Sequence, residues 1–164
     1  MGDNSFGELG LGEKRTVKTF EEIPGIPPNI AKIIGGGPTT IIKLTNGTLM
    51  GSGCNSYGEL GLGNYINRYT FEEIPINKIA NVAHGFCHTI ITLTNGTLMA
   101  CGYNFSFQLG INEVNHINVF EPIKDISKKN IVAEVVCHNN ITVFRLTDGT
   151  YMHCGYLLGG RLKN

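Results

Sequence analysis

The sequence predicts an all-β protein of about three four-stranded β-propeller blades, arranged as an incomplete or open ring. Three observations carry this prediction. The phrase GDNSFGELGLG at residues 2–12 returns as GCNSYGELGLG at residues 53–63. Two other phrases, FEEIP and LTNGTLM, recur in the same order with a common period near 50. Twenty-two of the 164 residues are glycine, nearly twice the average share of roughly 7%. That surplus, without a collagen period, points to many tight turns between short strands.

The elements follow in order along each unit. Gly2, Gly53 and Gly102 open corresponding glycine phrases. FEEIP at Phe20–Pro24 recurs at Phe71–Pro75, and as FEPIK at Phe120–Lys124; each is a short extended piece, the first two ended by proline. An apolar run follows at Ile30–Ile34, Lys78–Ala83 and Ile131–Val136. Next comes a hairpin, with LTNGTLM at Leu44–Met50 and Leu93–Met99 and LTDGTYM at Leu146–Met152. Asn46-Gly47, Asn95-Gly96 and Asp148-Gly149 are strong hairpin signals and predict type I′ turns. No window of ten or more residues keeps a 3.6-residue apolar period free of glycine. Four short strands per ~50 residues is the pattern of a propeller blade. Residues 1–164 are therefore expected to form a single repeat domain, with units near 2–52, 53–101 and 102–154 and a degenerate fourth start at 155–164.

The phrase G-x-N-S-x-G-x-L-G-L-G resembles the signature of the regulator-of-chromosome-condensation (RCC1) repeats, and Gly85–Thr89, GFCHT, resembles the G-x-x-H-T run of that family. The resemblance spans essentially the whole chain and implies RCC1-like blades, of which about seven close a ring. It also implies a structural hydrogen bond from His88 within its blade. There are departures. Where many such repeats carry Trp-Gly, this chain has Ser52-Gly53, Cys101-Gly102 and Cys154-Gly155, and it has no Trp. The third phrase, GYNFSFQLGIN at residues 102–112, replaces a glycine by Ser106-Phe107. Thr39 and Ile141 stand where the second unit has His88. A ring of seven units needs roughly 350 residues. Three readings follow: an open fragment, a piece that self-associates through uncovered blade faces, or the decayed remnant of a longer gene without independent function. The wealth of Asn, Ile and Lys suits an A/T-rich genome, as in giant viruses of amoebae, where similar chains occur.

Thirteen basic and thirteen acidic residues leave no net charge, so no field favours a nucleic-acid backbone or an anionic membrane. The basic runs Lys128–Lys129 and Arg161–Lys163 are too short to change this. No apolar stretch approaches the ~18 residues of a membrane span, and MGDNSFGELG lacks the basic and apolar segments of a secretory signal. An intracellular location, in cytoplasm or nucleus, is expected. Cys54, Cys87, Cys101, Cys137 and Cys154 contain no C-x-x-C pair, which fits a reducing compartment.

No catalytic, cofactor-binding or metal-ligating residue is assigned. The glycine phrases lack the following helix and the Lys-Ser/Thr of a phosphate loop. Gly35-Gly36-Gly37 reads as a close approach at a strand end. His84, Cys87 and His88, with Cys137-His138 in the next unit, have irregular spacing for a zinc site. The neighbours Glu21-Glu22 and Glu72-Glu73 point to opposite faces of a strand, which does not suit a glycosidase pair. Asn46, Asn95, Asn104 and Asn140 satisfy N-x-[ST] and read as turn residues. The expected function is that of a non-enzymatic protein-interaction module acting through propeller loops on an unidentified protein partner. The alternative is guanine-nucleotide exchange on a small GTPase.

Overall fold

The computed structural model describes residues 2–124, 126 and 132–156. Lys128–Lys129, Ile131, Arg161–Lys163 and residues 157–164 of the degenerate fourth phrase lie outside the described residues. Eleven strands are present: β1 (Ile30–Gly36), β2 (Thr39–Leu44), β3 (Leu49–Gly53), β4 (Arg68–Ile74), β5 (Ile79–His84), β6 (His88–Leu93), β7 (Leu98–Gly102), β8 (Ile117–Pro122), β9 (Val132–His138), β10 (Ile141–Leu146) and β11 (Tyr151–Gly155). They form three antiparallel sheets, β1-β2-β3-β4, β5-β6-β7-β8 and β9-β10-β11. The all-β, bladed architecture anticipated from the repeat is the observed one. Blades one and two are four-stranded, and blade three carries three strands among the described residues. β1 packs against β5 and β5 against β9, so these first strands are the innermost.

Two apolar clusters join the blades. Ile41 and Leu49 of blade one meet Ile79, Val82 and Ile91 of blade two, with Leu60 and Ile74 between them. Ile90, Leu98 and Ala100 of blade two meet Val135, Phe144 and Leu146 of blade three, with Leu109 and Ile123 between them. Leu60 and Leu109 are the central leucines of the second and third glycine phrases, and both are fully buried. Burial of one such side chain contributes roughly 1.5–3 kcal/mol, so the phrases help hold the blades together.

The hairpins differ from the type I′ prediction. Lys43 pairs with Leu49, and inside that pair Leu44 bonds Thr48, which leaves three loop residues, Thr45, Asn46 and Gly47. Gly47 N donates to Leu44 O and Leu44 N to Thr48 O, with Gly47 at φ 91° and Asn46 outside the left-handed region. This is a type I turn closed by a glycine bulge. Asn46 Oδ1 accepts from Thr48 N at 3.0 Å, and that bond rewards the ordinary φ of Asn46 over the I′ geometry. Gly96 and Gly149 repeat the bulge.

A second difference concerns the FEEIP pieces. In sequence each precedes a unit's hairpin; in space Phe71–Ile74 lies in β4, the last strand of the preceding sheet. Phe20–Pro24 is in no strand, because no strand before it among the described residues offers an edge. Only Val17, three residues ahead of it, is paired, in the isolated Gly2–Val17 bridge.

The third phrase contains a strained residue. Gly58 has φ 81° and packs on the start of β8, while Phe107, its counterpart, holds φ 59°. A left-handed L-residue costs roughly 1–2 kcal/mol. Phe107→Gly is therefore expected to raise stability by about 1 kcal/mol, measured by urea denaturation.

Candidate interaction surface

The three glycine phrases share one internal scaffold. Asn4, Asn55 and Asn104 are all fully buried. Their Oδ1 atoms accept from Leu9 N, Leu60 N and Leu109 N at 2.8, 2.9 and 3.0 Å. Their Nδ2 groups donate to the far side of the loop: to Glu13 O, to Asn64 O and Ile66 O, and to Ile111 O and Glu113 O. Each asparagine thus closes its phrase from within, a role the N-x-[ST] reading of Asn104 did not contain. Glu8, Glu59 and Gln108 accept from the amide two residues earlier, at 3.0, 2.9 and 3.1 Å.

The same loops tie each blade to the next. The hydroxyl of Thr89 donates to Glu59 O at 2.6 Å, and that of Thr142 to Gln108 O at 2.6 Å. Cys101 and Cys154 thiols donate to the same two carbonyls, and the Ser52 hydroxyl donates to Gly7 O at 2.6 Å. The Ser/Cys-Gly positions that replace Trp-Gly therefore serve as small donors at the joints. All five cysteines are free thiols. Burial raises them, Cys87 and Cys137 to about 12 and Cys154 to about 11, which suits packing and not nucleophilic chemistry.

The histidines also join blades. His84 Nε2 donates to Gly36 O of blade one at 3.1 Å, and its Nδ1 lies 2.8 Å from Thr89 Oγ1. Gly36 and Gly37 lack side chains where Gly85 and Phe86 of the next blade press against them. His88 Nε2 lies 2.9 Å from Thr142 Oγ1. Because that hydroxyl gives its proton to Gln108 O, Nε2–H is the donor. The bond runs to blade three and corrects the within-blade expectation for His88; β6 packs against β9 of that blade, which brings Thr142 on the adjoining β10 within reach. Among the described residues, no three His, Cys, Asp or Glu side chains are grouped to hold a metal.

Burial depresses both rings, His84 to about 4 and His88 to about 3, the latter aided by the neighbouring His84. A group depressed in the folded state binds fewer protons there than in the unfolded chain, so stability rises with pH across that window. Stability is expected to fall as pH drops below the ordinary histidine value of 6.5, as a urea midpoint series against pH would record. Glu59 has the opposite sign. Burial raises its carboxyl, and Oε1 is buried without a partner. The native state keeps that proton after the unfolded chain releases its own, so stability declines as pH rises above the ordinary carboxyl range. Glu59→Gln, which copies Gln108, is expected to add about 1–3 kcal/mol at neutral pH and to flatten that decline in the same titration.

The phrases gather aromatic rings at one end of the blades. The β1–β2 and β5–β6 turns and all three phrases lie at this end, since Thr39 pairs with both Gly36 and Gly53, and His88 with Gly102. Tyr57 of the second phrase meets Tyr103 of the third at 5.2 Å between centroids and His116 at 4.9 Å. Phe105 completes the group, 4.8 Å from His116 and 5.6 Å from Tyr103. Phe105 and Phe86 are half exposed, and Phe6 and Tyr65 nearly so. Rings held by neighbours yet open to solvent are characteristic of contact surfaces. Among the described residues no helix is long and apolar enough to cross a membrane.

No protein-family model matches the chain. Curated relatives match about half of it or less. The X-linked retinitis pigmentosa GTPase regulator of Canis lupus familiaris is 35% identical over 75 residues, 45% of this chain and 8% of that protein. The secretion-regulating guanine nucleotide exchange factor of Bos taurus is 38% identical over 64 residues, 38% of this chain and 14% of that protein. The chain thus spans only a small part of the length of these relatives. Among solved structures, human WBSCR16 superposes with a TM-score of 0.79 at 18% identity, covering 95% of this chain and 42% of that one. Prp20p of Saccharomyces cerevisiae gives 0.77 at 18% identity, covering 95% and 39%. The yeast protein is also described as yeast RCC1, in its complex with Kap60. Repeated phrase, bladed sheets and structural neighbours agree on the fold: the chain is a partial β-propeller of RCC1-like blades.

Proposed function

We propose that the chain acts as a non-enzymatic protein-interaction module whose contact surface is the phrase-loop end of the blades. The observation that carries this is the Tyr57–Tyr103–Phe105–His116 ring cluster, with Phe86 exposed at the same end. The absence of net charge favours a protein over a nucleic acid as the ligand. Similar proteins supply a precedent for protein ligands: Prp20p has described binding properties towards Gsp1p and histones. The test compares proteins cross-linked in cells to the wild-type chain and to a Phe86→Glu, Phe105→Glu double variant. A stoichiometric partner held by the first and lost by the second supports the reading. No such partner, or one held equally by both, sinks it.

The second reading is regulation of a small GTPase by nucleotide exchange. It is favoured by a relative named as a guanine nucleotide exchange factor. Nucleotide release from a panel of small GTPases decides it: an accelerated release, lost in the double variant, supports exchange, and unchanged release across the panel removes it.

A further inference from the structure

We propose that two copies of this chain associate end to end, the segment Phe20–Pro24 of one adding as a fourth strand to the open edge of β11 of the other. The proposal is independent of the partner argued above. It rests on two half-built blades that match.

One half is blade three. Among the described residues nothing pairs with the outer edge of β11. In blades one and two that edge carries β4 and β8. Beside β11 lies an apolar cavity of about 360 Å³, lined by Phe107, Gly110, Ile123, Phe144, Met152 and Cys154. The corresponding glycines of the earlier phrases, Gly10 and Gly61, are covered by the rings of Phe71 on β4 and Phe120 on β8. Gly110 has no such ring over it among its described neighbours, Ile123 and Cys154.

The other half is the N-terminal segment. Val17–Pro24 reads VKTFEEIP, against RYTFEEIP for Arg68–Pro75, the stretch that begins with β4. The Gly2–Val17 bridge is the counterpart of Gly53–Arg68 and Gly102–Ile117, so the pairing is opened and then lacks its strand. Phe20, which corresponds to Phe71 and Phe120, is 90% exposed, and Ile23, which corresponds to the buried Ile74, is 37% exposed.

The register follows from β3 and β4, where Leu49 pairs with Ile74, Met50 with Glu73, Gly51 with Glu72 and Gly53 with Arg68. Transferred to β11, it sets Tyr151 against Ile23, Met152 against Glu22 and His153 against Glu21. Phe20 then falls over Gly110, into the cavity. His153, larger than Gly51 or Ala100 at the same place, stands opposite a carboxylate, a favourable cross-strand pair. Reciprocal exchange between two copies unites six blades, within the range of four to eight typical of propellers. It also covers two sheet edges that invite pairing.

Sedimentation of the full chain tests this. The expected mass is twice 17.8 kDa, and Phe20→Glu is expected to halve it with the β-sheet circular dichroism unchanged. Independently, a mixture of copies carrying only Met152→Cys with copies carrying only Glu22→Cys is expected to form a mixed disulfide under mild oxidation. Neither variant alone is expected to cross-link to that extent. A wild-type chain with the mass of one copy overturns the proposal. So does an assembly that survives Phe20→Glu and yields no mixed disulfide.

Discussion

Asn55→Ala is expected to lower the unfolding free energy by about 3–5 kcal/mol, measured as a drop in the urea midpoint with the slope unchanged. Asn55 is fully buried, and its side chain holds three backbone groups: Leu60 N at 2.9 Å, Asn64 O at 2.9 Å and Ile66 O at 3.3 Å. Alanine leaves a buried donor and acceptors without partners, at about 1–3 kcal/mol each where water does not reach them. It also loosens Leu60, the side chain that fills the joint between blades one and two. The comparison variant is Asn46→Ala. That side chain is exposed and bonds a single turn amide, so a loss of about 1 kcal/mol or less is expected. Equal losses in the two variants would show that the phrase asparagine is not the closure of the loop.

Gly58→Ala is expected to cost about 3 kcal/mol or more. Two effects add. The φ of 81° disfavours any L-residue, by roughly 1–2 kcal/mol. The added methyl also meets the backbone of Asn118 and the carbonyl of Ile117 on β8, which are not flexible side-chain ends. Gly25→Ala separates the terms, because Gly25 has φ 73° and nothing within 4 Å of an added Cβ. It is expected to show the strain alone, about 1–2 kcal/mol. The difference between the variants, read from paired urea curves, measures the fit of the second phrase against blade two.

The blades were legible because three phrases keep one order and one period, and strand-forming runs alternate with glycine turns. The assignment of FEEIP to the preceding sheet was not. A period marks repetition, and it is silent on which strand edge a segment pairs with, since β4 is separated from β3 by the whole second phrase. The Asn-Gly turns announced hairpins but not their length, because the bond from Asn46 Oδ1 to Thr48 N competes locally with type I′ geometry. The ring cluster was hidden for a different reason. Tyr57 and His116 are far apart in the chain, and only the packing of consecutive phrases brings them within 4.9 Å. A signal was present in the recurrence of an aromatic residue soon after the phrase asparagine, as Phe6, Tyr57 and Phe105. Glu59 gave none, because its burial depends on blade two, and Glu8 in the same position of the first phrase is only half-buried.

The offset between phrases and sheets bears on how the chain is made. During synthesis, β1, β2 and β3 can pair as soon as they emerge, but β4 follows only after residues 54–67. Each sheet is therefore finished one loop late, by a strand that arrives together with the cover for the next blade. At 5–20 residues per second, that delay is on the order of a few seconds or less. A ribosome that pauses within the loop would hold out a three-stranded sheet with a bare edge, the form in which nascent sheets are most prone to pair with a neighbour.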